Sequence, residues 1–151
     1  MGGSAGTKGN KTMRKVMQRF AEARIIIPAP QNGREEIAQA DAEAAIRSAF
    51  GGFTRVEGFG SWMADDGTVY REPVYVYDIA VPLLMGAGED AGREWAGAMT
   101  ALRRIAAQIA RDMTQECVYL RSPAGRVHFI KPDGTDYYQD IEPHPFPRVS
   151  G

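Results

Sequence analysis

The segment Phe50-Gly-Gly-Phe-Thr-Arg-Val-Glu-Gly-Phe-Gly-Ser-Trp62 (FGGFTRVEGFGSW) has two readings with opposite consequences. As a glycine loop it would cradle a ligand; as the end of a helix running into a strand it would only punctuate a fold. A phosphate-binding loop needs strand, glycine turn and helix in that order, and here a helical pattern comes first. From Glu35 to Phe50 the chain is rich in alanine, with Ala42, Ala45, Ile46, Ala49 and Phe50 spaced as an inward stripe and Asp41 suited to an N-cap. Gly51-Gly52 then falls where a left-handed helix cap favours glycine. Phe53 to Met63 reads as a strand with Thr54, Val56, Gly58, Gly60 and Trp62 on one side, the glycines leaving space for a crossing helix or a bulge. The glycines are punctuation.

Working outward, ADDGT (64–68) is a hairpin turn and VYREPVYVYDIAV (69–81) the returning strand, with Pro73 at an edge or bulge. Residues 82–92 read as a loop. Arg93 to Met113 is the clearest helix, because Trp95, Ala98, Met99, Leu102, Ile105, Ala106, Ile109 and Met113 recur at intervals of three and four. TQECVYLR (114–121), the turn SPAG and RVHFIK (126–131) form a final hairpin. Upstream, RIIIPAP (24–30) is a short buried strand. Thr12 to Ala23, with Met13, Val16, Met17 and Phe20 at helical spacing, reads as an amphipathic helix whose outer face is basic through Lys11, Arg14, Lys15 and Arg19. The expected fold is α+β and ferredoxin-like: a βαββαβ antiparallel sheet with two helices on one face, plus an N-terminal helix and a C-terminal hairpin. The chain divides into a basic leader and helix (1–23), the ferredoxin-like domain (24–131) and a proline-rich tail (132–151).

With 151 residues, 44% hydrophobic and 25% charged, the chain has the size and composition of one globular domain. A net charge of −1 gives no overall field toward nucleic acid or an anionic membrane. One cysteine, Cys117, excludes an internal disulfide, and no apolar run approaches membrane-spanning length, so a cytoplasmic location is expected.

The pattern FGGFT, GFGSW, DDGTVYREPV, VYDI and TQECVYL resembles a family of small bacterial domains of unknown function over roughly residues 25–130. The shared positions are Gly52, Thr54, Gly60, Trp62, Gly67, Glu72, Gln115 and Glu116. The resemblance implies the ferredoxin-like fold and brings no activity.

Chemistry-bearing groups are few. With SPAG as the turn, Tyr119 would face His128 and Leu120 would face Val127, which places Cys117, Tyr119, Arg121, Arg126 and His128 on the sheet's open face. Cys117 and His128 would then be diagonal neighbours, the minimum for an activated thiolate, with Glu72 or Asp78 as orienters. A half-buried structural thiol is the commoner outcome. Glu72 and Glu116 are the best carboxylates for general-base work, against the alternative of pairing with arginines. Trp62 as a stacking platform competes with Trp62 as a core plug, and the core plug is favoured. No metal-ligand spacing or cofactor motif stands out.

Tyr75, Tyr77, Tyr119, Arg121, Arg126 and His128 would form an aromatic, basic binding face. Such a face suits a second copy of the chain or a protein partner. The expected function is therefore a non-enzymatic binding or regulatory protein acting by association through that face. The alternatives are a small-molecule enzyme with a Glu72, Cys117 and His128 pocket, and a single-stranded nucleic-acid binder using the sheet face and the basic helix. Near-neutral charge disfavours the last.

Overall fold

A computed structural model describes residues 17–85 and 89–138. In chain order the elements are β1 (Met17–Pro28), α1 (Gly33–Phe50), β2 (Thr54–Met63), β3 (Val69–Met85), α2 (Glu89–Asp112), β4 (Val118–Arg121) and β5 (Val127–Ile130). The sheet runs β2-β3-β1-β4-β5 and every neighbouring pair is antiparallel. Its first four strands, with the two crossover helices, give the ferredoxin-like α+β arrangement, and β5 extends the edge beyond β4.

The strand periodicity explains which face the helices cover. Ala23, Ile25 and Ile27 of β1, Tyr77, Ile79 and Val81 of β3, and Val118 and Leu120 of β4 alternate inward and are buried. Onto them pack Ala38, Ala42 and Ile46 of α1, and Leu102, Ile105 and Ile109 of α2. Of the expected stripe of α1, Ala42, Ile46 and the partly buried Phe50 face the core, Ala38 joins them one turn earlier, and Ala45 and Ala49 are exposed. That helix begins before Asp41. The Asn32 side chain accepts the Glu35 N–H at 2.9 Å, while Glu35 Oε1 accepts the Gln31 N–H at 2.9 Å, so the first turn is capped from both sides. At its other end Gly51, at φ 90°, donates its N–H to the Arg47 carbonyl, the left-handed cap that the double glycine implied.

The N-terminal segment departs from expectation. Residues 17–23 belong to β1 rather than to an amphipathic helix, and β1 runs unbroken across position 24. The reason lies in β3, which continues through Pro82 to Met85 and offers a pairing edge for every residue from Met17 to Pro28. Tertiary pairing overrides the local helical spacing of Val16, Met17 and Phe20. Arg19 thus sits in a strand, while Lys11, Arg14 and Lys15 lie outside the described residues, as does most of the proline-rich tail.

The sheet is staggered. β2 pairs with β3 from Thr54↔Asp78 to Met63↔Val69, whereas β1 pairs with β3 from Pro28↔Val74 to Met17↔Met85. Beyond Pro73 the β2–β3 hairpin is a two-stranded arm, closed by a turn in which Gly67, at φ 89°, and Asp66, accepting the Thr68 N–H, supply the geometry.

Candidate functional site

Residues opposite one another across an antiparallel pair share a face. The face without helices therefore carries Val56, Gly58, Gly60 and Trp62 from β2, with Tyr70, Glu72, Val74, Val76 and Asp78 from β3. Glu22, Arg24 and Ile26 of β1, Tyr119 and Arg121 of β4, and Val127 and Phe129 of β5 share it. Neither glycine makes room for a helix. A Cβ built on Gly60 would lie 3.6 Å from Val74 Cγ1 and 4.0 Å from Trp62 Cζ3, so the indole and the valine occupy the lane.

Glu72 stands directly opposite Gly60 in that lane. Beside it Trp62 stacks on Tyr70, with ring centroids 5.8 Å apart and planes 19° apart. Trp62 is thus a half-buried platform on the helix-free face, not a core plug. Glu72 is itself half-buried, and among the described residues no arginine or hydrogen-bond donor pairs with it. Desolvation alone raises its carboxyl above the usual range.

The face expected for binding is divided between the two sides of the sheet. Tyr75 and Tyr77 point toward the helices, and Tyr77 is fully buried. The β4–β5 register is Tyr119↔Phe129 and Leu120↔His128, one residue from that expected, so His128 joins the helix-covered side. The shift arises at the turn. Ser122 donates its N–H to the Arg126 carbonyl and Gly125 takes a left-handed conformation at φ 87°, which places Arg126 in the loop rather than opposite Arg121. Of the six residues, Tyr119 and Arg121 remain on the helix-free face.

Glu72, Cys117 and His128 do not converge either. Glu72 lies on the β2–β3 arm, Cys117 is 1% exposed just before β4, and the His128 Nδ1 is 2.8 Å from Asp136 Oδ2 at the opposite edge of the sheet. Asp78 orients no thiolate, because its carboxylate accepts two bonds from Arg24, at 2.7 and 3.2 Å.

One polar cluster escaped the sequence reading. Glu43 Oε2 accepts from Arg55 at 2.7 Å, from the Tyr77 hydroxyl at 2.8 Å and from Gln39 Nε2 at 3.0 Å. Burial pushes the Glu43 carboxyl up, and the bonds from Tyr77, Gln39 and Arg55 outweigh it, leaving the group below its usual range. The Tyr77 phenol is pushed far above its usual value, by burial first and the facing carboxylate second. Arg55 also lies over the Tyr75 ring, 4.7 Å from its centroid. The i, i+4 spacing of Gln39 and Glu43 was the visible signal; their strand partners were not.

No family model matches the chain, and no curated protein matches it. Among solved structures it is similar to a phage SAM lyase in complex with S-methyl-5'-thioadenosine, at 20% identity over 74% of this chain and 89% of that one, with a TM-score of 0.46. The apo state of a phage SAM lyase gives 19% identity, 76% and 90% coverage and a TM-score of 0.47. The expectation of a non-enzymatic domain acting by association through its open face is corrected: Tyr75, Tyr77 and His128 lie on the helix-covered side, so that face is not composed as expected.

Proposed function

We propose that the protein is an enzyme acting on a small organic cation by proton transfer, with Glu72 as the general base. The observation that carries this is the Glu72 carboxylate: half-buried, unpaired among the described residues, raised by desolvation, and beside the Trp62–Tyr70 stack. A carboxylate freed of partners and made more basic by its surroundings is a better proton acceptor than an ordinary surface carboxylate. The stacked rings beside it offer π faces to a positive charge, and the carboxylate supplies the opposite charge. On proton transfer the C–H or heteroatom–H electron pair stays on the substrate and the proton resides on Glu72. With a single cysteine, Cys117, the chain forms no internal disulfide, which favours a reducing compartment and hence a cytoplasmic setting.

The test is equilibrium binding and turnover with a panel of onium compounds and neutral relatives. It includes SAM, which carries a sulfonium, and S-methyl-5'-thioadenosine, a neutral thioether. The expected result is that charged members bind, and that Glu72→Gln weakens them by about tenfold or more while leaving neutral members unchanged. Turnover of any processed member should fall by about 100-fold or more in that variant. Equal activity of wild type and Glu72→Gln would end the assignment.

A further inference from the structure

At the other end of the helix-free face, roughly 20 Å along β3 from Glu72, two arginines lie side by side and one carboxylate pairs with only one of them. Arg24 of β1 and Arg121 of β4 are direct cross-strand partners. Asp78 of β3 lies opposite Arg24 on its other side. Like charges placed directly opposite on a sheet are mutually repulsive, and a single carboxylate offsets one of them. Asp78 is committed to Arg24: Arg24 Nε donates to Oδ1 at 2.7 Å and Nη2 donates to Oδ2 at 3.2 Å. This side-on fork fixes the Arg24 guanidinium while leaving Nη1 and one Nη2 hydrogen to other acceptors. Arg121 is half-buried, and among the described residues no carboxylate lies within ion-pair distance of it. Glu22, on the same face of β1, is exposed and sits two residues before Arg24. Tyr119, two residues before Arg121 in β4, adds a half-buried hydroxyl-bearing ring on the same face.

We infer that Arg24, Arg121 and Tyr119 form an anion site for a phosphate or carboxylate group, with Asp78 as the residue that positions Arg24. The site is independent of Glu72. An oxyanion between the two arginines accepts from both forks and removes the repulsion that the pairing imposes. Guanidinium is the cation best matched to such planar, two-point recognition.

The test is an NMR titration of the full chain with inorganic phosphate against chloride at equal ionic strength, then with adenosine monophosphate. Saturable shifts confined to residues around Arg24, Tyr119 and Arg121 are expected, weakened about tenfold or more by Arg121→Gln. Arg121→Lys, which keeps the charge and loses the fork, should fall between the two and guards against a folding defect in the glutamine variant. Equal affinity for both probes identifies the free anion as sufficient, and tighter binding of the nucleotide identifies the anion as part of a larger ligand; both support the site. Non-saturating shifts, or wild-type affinity in Arg121→Gln, would overturn it. So would an oligonucleotide that binds far more tightly than the mononucleotide with steep salt dependence, since that pattern belongs to a polyanion surface.

Discussion

Two carboxylates on opposite sides of the sheet have their pKa values moved in opposite directions, and each makes a separate prediction. Glu43 has its folded pKa lowered, so the stability it contributes is present above its ordinary value of 4.5 and is lost as pH falls through the lower folded value. Acid unfolding of Glu43→Gln should therefore be shallower below that pH than in wild type, as followed by circular dichroism. Glu43→Ala strips the fully buried Tyr77 hydroxyl of its acceptor and should cost about 1–3 kcal/mol in urea unfolding at pH 7. Glu72 has its folded pKa raised above 4.5, so the protein gains from this group at low pH and loses that gain as pH rises through the folded value. At pH 7, Glu72→Gln should leave the urea midpoint unchanged or higher. A falling midpoint would mean that Glu72 is a structural ion-pair member after all.

At the scale of elements, the helix cap and the hairpin turns decide where side chains point. A methyl group at Gly51 would meet open space, but φ there is 90°, so Gly51→Ala should cost about 1–2 kcal/mol from backbone conformation alone. Gly52 has the same open space without the positive φ, and Gly52→Ala should be close to neutral in the same denaturation experiment. These punctuating glycines, the two crossover helices and the β2–β3 hairpin were legible in the sequence because each rests on a local signal. The β4–β5 register was not, because it turns on whether Gly125 or its neighbours close the loop, and one residue of difference moved His128 to the other side of the sheet. Nor was the strand at 17–23, whose conformation is set by a partner far along the chain, at Ile79–Met85.

For the whole molecule, the stagger of the sheet matters more than its strand order. The helices cover the part where β3 has neighbours on both sides, and the core there is continuous: Leu102 is fully buried, and Leu102→Ala should cost about 2–5 kcal/mol by thermal or urea unfolding. The β2–β3 arm projects past that core, which leaves Phe59, Met63, Val69 and Tyr70 exposed and sets Glu72 and Trp62 on a face with no helix above it. Sequence reasoning singled out Glu72 and Trp62 separately. What joined them was the register Gly60↔Glu72 and Trp62↔Tyr70, a pairing that follows from the hairpin and sets them together on the face of the sheet opposite the helices. The most direct test is an NMR titration of wild type and Glu72→Gln with SAM and a simple quaternary ammonium compound. Saturable shifts centred on Trp62, Tyr70 and Glu72 in wild type, and lost in Glu72→Gln, are the predicted result. Shifts centred elsewhere, or unchanged by the substitution, would contradict a cation site at Glu72.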